Sequence, residues 1–155
     1  MKTNGLFSIT FALVFYCLGA SFIEGFVNYR TWMLIGTNEF KTYHNALTQL
    51  IVPFMVIPLG VTFLLLLALL RWRPSAIPAW PVWLSVALMA VGIISSVAIQ
   101  IPIQRELSSS GFSRELIERL ILTDWIRKIP MIGVGVLMLR MMWSLLTNIP
   151  PSNAR

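Results

Sequence analysis

The stretch Asn45–Leu70, "NALTQLIVPFMVIPLGVTFLLLLALL", decides the fold class. It carries no charge over a length that exceeds the roughly 20 helical residues needed to cross a bilayer core. Lipid leaves backbone N–H and C=O groups without water, so a spanning segment must satisfy them internally. The run lacks the apolar–polar alternation of a barrel strand, which leaves the helix. Pro53 and Pro58 each remove a backbone donor, so a bend is expected inside it.

Three further runs resemble it. The expected spans are 6–27, 45–70, 82–103 and 129–147, in a chain of 155 residues. The composition agrees: 57% hydrophobic, 12% charged and a mean hydropathy of +0.77, against roughly 45–50% and 25% in soluble domains. The expectation is a single all-α domain over 1–155, an integral membrane four-helix bundle. The apolar N-terminal stretch behind Lys2, ending near "GAS" at 19–21, has some signal-peptide character. It is as long as a full span, and a retained helix is expected. Cys17 is the sole cysteine, which excludes an intrachain disulfide. No glycine-rich phosphate loop or Cys/His cluster is present. The net charge of +6 lies between apolar spans, which points to topology and headgroup contact rather than nucleic acid.

The connections differ. The second, "RWRPSAIPAWP" (71–81), is short and proline-rich, with tryptophans suited to the membrane interface. The first, about 28–44, carries Trp32-Met33-Leu34-Ile35 as an interfacial stretch. The third, about 104–128, reads as a short extramembrane helix capped by Ser113. Its pairs Arg114–Glu118 and Glu115–Arg119 have i,i+4 spacing, and Leu116, Ile117, Leu120 and Ile121 form an apolar stripe. Lys2, Arg71, Arg73, Arg140 and Arg155 share one side of the bundle; the other seven basic residues share the side of loops one and three. By count the positive-inside rule favours loops one and three inside. Several of those seven are expected in a site, and discounting them gives termini inside.

The polar residues gather at one end. Glu24 and Asn28 close helix one; His44, Asn45, Thr48 and Gln49 open helix two; Gln100, Gln104 and Arg105 close helix three; Asp124, Arg127 and Lys128 precede helix four. The i,i+4 spacings put Glu24 with Asn28, and Gln100 with Gln104, on single helix faces. Ionisable groups at membrane depth need a partner or a wet cavity. Glu24, His44, Gln49, Gln104 and Arg127 are therefore expected to line a ligand pocket. Simpler roles stand beside this: Glu24 as an intramembrane staple for an arginine, His44 as a packing residue, the glutamines as interhelical hydrogen-bond links. Met138, Met141 and Met142 read as packing. With one histidine, metal binding has only Glu24 and His44 as candidate ligands.

"IPIQREL" (101–107) and "LIERLILTDWIRKI" (116–129) together resemble the DUF1772, or anthrone oxygenase-like, family of small four-helix membrane proteins. Pro102, Gln104, Asp124, Trp125 and Arg127 occupy its motif positions; Gln104 and Asp124 depart from the asparagine of many members. The resemblance implies an oxygenase-type oxidoreductase acting on a lipophilic, electron-rich aromatic substrate, in chemistry that needs no bound cofactor. It casts His44 or Glu24 as base and Arg127 and Arg105 as anion-stabilising groups. Gln104 and Asn45 would orient the substrate, and Trp125 and Trp32 would stack on its ring. Asn28, Gln49, Gln100 and Asp124 complete the expected pocket. The alternative is a noncatalytic membrane subunit or lipid-binding module of a larger complex. Expected partners are a lipophilic small molecule, membrane lipid, and a second copy or membrane complex. The expected location is a bacterial inner membrane.

Overall fold

A computed structural model describes residues 2–147; Arg155, counted above among the terminal basic residues, lies outside them. Four long helices account for nearly all of the described chain: α1 (Thr3–Leu34), α2 (Thr37–Trp72), α3 (Ala79–Ser110) and α4 (Arg114–Thr147). Each is long and apolar enough to cross a membrane. No strand occurs among the described residues. Each helix packs on its chain neighbours and α4 closes on α1, so the four form a ring.

The helices outrun the expected spans. At 1.5 Å per residue a 32-residue helix such as α1 is about 48 Å long, against a hydrocarbon core of about 30 Å. The expected loop at 28–44 is helical except for an extended step at Ile35–Gly36. In the expected loop at 104–128, α3 continues to Ser110 and α4 begins at Arg114. The short helix foreseen there exists as Arg114–Thr123 and runs into Trp125–Thr147 through a single irregular residue, Asp124. Hydropathy ends a span where charge begins; the helices continue with Tyr29, His44, Gln104 and Asp124 partnered inside the bundle and Arg30, Glu39, Arg105 and Arg114 on its exposed faces.

The breaks have local causes. Gly111 has φ +88°, a left-handed conformation that favours glycine. Ser113 then caps the next helix, its hydroxyl oxygen accepting from Leu116 N–H at 3.4 Å. In the second connection the Arg73 guanidinium donates to the carbonyls of Leu70 (3.1 Å) and Ile77 (3.2 Å), closing the end of α2. On the exposed face of Arg114–Thr123, Arg114 pairs with Glu118 at 3.9 Å, whereas Glu115 and Arg119 do not form the expected bridge.

Two apolar cores result. The larger, at the end that carries the second connection, joins Phe7, Val14, Leu66, Leu69, Val82, Met89, Val134, Met138 and Met141. The smaller joins Tyr29, Trp32, Phe40, Ile103, Leu107, Ile117 and Leu120 beside the first and third breaks. Ile9, Phe54, Leu64, Val91, Ile94 and Leu139 face outward in the manner of a lipid-facing belt. Trp72, Trp80, Trp83 and Trp143 are exposed near the second connection and the end of α4, and Arg140 lies 4.9 Å from the Trp80 ring.

Three of the four helices contain a π-helical turn: Glu24–Asn28 in α1, Val52–Val56 in α2 and Ser96–Gln100 in α3. Each is closed by an i→i+5 bond, from Tyr29, Ile57 and Ile101 N–H to the Glu24, Val52 and Ser96 carbonyls. Proline is involved in two of them: Pro53 lies in the α2 turn, with Pro58 just beyond it, and Pro102 follows the α3 turn. The residue four along from Phe54 is Pro58, which has no N–H to give. Tyr16 of α1 supplies a donor instead, its hydroxyl 2.7 Å from the Phe54 carbonyl.

Candidate functional site

The three π turns lie around one cavity of about 620 Å³. Its aliphatic wall comes from α2 and α3: Ile51, Val52, Met55, Val56, Leu59, Ile93, Val97 and Ile101. Its polar wall comes from Glu24, Tyr29, Gln100, Gln104 and Arg127, with Thr48, Arg105, Ser108 and Ser109 toward the ends of α2 and α3 nearest the first and third breaks. A small apolar annex continues it toward Cys17, Leu88, Met89 and Met131.

Glu24 is 4% exposed. One carboxylate oxygen accepts from Asn28 Nδ2 at 2.6 Å; the other, Oε1, is buried without a hydrogen-bond partner. The π turn brings Glu24 and Tyr29, five residues apart, onto one face. Two donors converge on the Tyr29 hydroxyl oxygen: Arg127 Nη2 at 2.8 Å and Gln104 Nε2 at 3.4 Å. Two accepted bonds leave the Tyr29 O–H proton available to a ligand.

Behind this wall stand two supports. Asp124, 1% exposed, accepts from Arg127 Nε at 2.5 Å and from the Lys128 ammonium. Lys128 is itself buried and lies 4.5 Å from the Phe26 ring. Lys128 and Asp124 approach α1 this closely because Gly25 has no side chain. A Cβ there would collide with Lys128 Nζ and Asp124 Oδ2. On the other side His44 Nε2 is 2.7 Å from Gln104 Oε1, and Ser108 Oγ is 3.0 Å from His44 Nδ1. With the Gln104 amide nitrogen turned to Tyr29, its oxygen accepts from His44 Nε2–H, and Nδ1 accepts from Ser108. The ring packs edge-on to Trp32 and stacks on Phe40.

The expected site residues divide accordingly. Glu24, Gln100, Gln104, Arg105 and Arg127 line the cavity. Gln100 is also structural: its Nε2 donates to the Thr123 carbonyl at 3.1 Å, at the step before Asp124. Asn28 and Asp124 act through Glu24 and Arg127. His44 is 1% exposed and stands behind Gln104 rather than on the wall. Asn45 and Gln49 are exposed and off the cavity. Trp32 is fully buried in the smaller core. Trp125 is half-exposed, edge-on to Phe26 at 5.8 Å, and also off the wall. Both ring nitrogens of His44 are engaged, and among the described residues no three His, Cys, Asp or Glu side chains gather as a metal-ligand set.

Tyr29, Ser108 and Gly25 are the residues the sequence reading missed. The available signal for Tyr29 was its aromatic hydroxyl five residues beyond Glu24, which shares a face with it only when the helix widens. No family model, curated protein or solved structure matches the chain.

Proposed function

We propose that the chain is a small intramembrane oxidoreductase that uses dioxygen to oxidise a lipophilic aromatic substrate held in the cavity. The observation that carries this reading is Glu24, a residue of the wall of a largely aliphatic cavity that also holds the braced Tyr29 hydroxyl, with its Oε1 buried and unpartnered. An unpaired buried acceptor is costly to keep, and a base waiting for a substrate proton accounts for it.

The chemistry follows from those groups. Glu24 Oε1 removes a proton from an acidic methylene of the substrate. The electron pair delocalises onto a ring oxygen, where the Tyr29 O–H and the Arg127 guanidinium stabilise the anion. The carbanion passes an electron to dioxygen, and recombination forms the C–O bond of a peroxide anion, which takes the proton back from Glu24. Removal of the second methylene proton expels hydroxide as the O–O bond breaks. The balance is CH2 plus O2 giving C=O plus water. In this reading His44 is a positioning residue that fixes the Gln104 amide, and Asp124 fixes Arg127.

Dioxygen uptake by the purified protein with an anthrone-type tricyclic substrate tests it. Wild type should consume dioxygen and form the quinone. Glu24→Gln should lower turnover by about 100-fold while leaving the melting midpoint unchanged. Full turnover in Glu24→Gln would remove Glu24 as the base. The mostly aliphatic wall also favours a second reading, a noncatalytic lipid-binding module of a larger complex. Retained lipid and no dioxygen uptake in any variant would select it. We place the chain in a bacterial inner membrane with both termini inside; an active phosphatase fused after α4 would reverse that orientation.

A further inference from the structure

We propose that ligands reach this cavity sideways from the lipid phase, through a portal between the π turns of α2 and α3. α2 and α3 pack at two levels: 37–51 lies against 101–110, and 57–72 against 79–95. Between these levels the π turns at 52–56 and 96–100 provide no comparable packing, and both contribute to the cavity wall. Val52, Val56, Val97 and Ile101 line the cavity and are solvent-accessible, from 40% (Ile101) to 59% (Val97). The cavity is open rather than enclosed, and wall residues this accessible, beside the gap in helix packing, mark the opening.

The opening lies at hydrocarbon depth. Val97 is 13 residues from Ser110, about 20 Å along a helix at 1.5 Å per residue. An aliphatic frame there admits lipid-dissolved molecules and discourages water. The cavity changes character along its length, from this frame toward Gln104, Arg105 and Ser108 near the helix ends. Glu24 and Tyr29 meet the entering ligand from the opposite, α1 side, with one free acceptor and one available donor. The occupant this defines is a membrane-dissolved amphiphile with an apolar body, carrying a hydrogen-bond donor for Glu24 Oε1 and an acceptor for Tyr29.

The inference rests on the cavity being a ligand site, and its test needs no turnover. The single cysteine, Cys17, is replaced by serine, whose hydroxyl takes the place of the thiol that lies 3.5 Å from Thr62 Oγ1. Ser96→Cys then puts one thiol on the cavity wall. In liposomes, labelling by pyrene maleimide is compared with labelling by a membrane-impermeant sulfonated thiol reagent. The lipid-soluble reagent should label and the charged one should not. Val97→Trp, or Val56→Trp, should slow labelling about tenfold by narrowing the opening; Ser109→Trp, at the polar end, should leave it unchanged. Labelling by the charged reagent, slowing by Ser109→Trp alone, equal rates in all variants, or no labelling by either reagent would each overturn the portal. Dioxygen uptake lost in Glu24→Gln but insensitive to Val97→Trp would keep the enzyme and reject this entrance.

Discussion

Gly25 shows how a missing side chain can position a charge. The Lys128 ammonium and the Asp124 carboxylate occupy the space its Cβ would take. Gly25→Ala should therefore displace this pair and lower stability by about 1–3 kcal/mol, read as a drop in the detergent melting midpoint. Asp124→Asn is expected to be harsher. It leaves the buried Lys128 and the partly buried Arg127 without their carboxylate, a loss of about 3–5 kcal/mol. At this scale the sequence was partly readable. Glu24, Gln104 and Arg127 stand out because charge and amide are scarce in apolar runs, and all three line the cavity. His44 was equally conspicuous, yet its ring fits between Trp32, Phe40 and Gln104. Rarity shows that a residue needs partners; it does not show whether those partners are protein or ligand.

At the scale of elements, the π turns decide what the prolines do. Pro58 leaves the Phe54 carbonyl without an N–H four residues on, and Tyr16 fills that gap from the neighbouring helix. Tyr16→Phe should cost about 1 kcal/mol. In a Pro58→Ala background, which restores the donor, the same change should cost less. A double-mutant cycle on melting midpoints measures the difference, and full additivity would show that the two positions act separately. The helices themselves were legible, but their continuity was not. Positions 28–44 and 104–128 look like loops because hydropathy falls there, whereas Tyr29, His44 and Gln104 are polar groups turned inward. The π turns were also hidden: a reading that assumes 3.6 residues per turn assigns Glu24 and Tyr29 to different faces.

For the whole molecule, four helices and their order follow from length and hydropathy alone. The cavity does not, because it depends on where two helices pack least closely. If it binds a hydroxylated lipophile, saturation at about 100 times the dissociation constant should add about 2.7 kcal/mol to stability, and Glu24→Gln should reduce that gain. A thermal scan with and without ligand checks both. The cavity also lies beside a division between two apolar clusters that share no residue, one built around Met138 and Leu66, the other around Trp32 and Leu120. Such a division weakens cooperativity. The smaller cluster, with 32–44 and 103–120, should exchange its amide hydrogens as one block at lower free energy than the larger. Below the melting transition, the half that holds His44 and Gln104 would then open locally while the other half stays assembled.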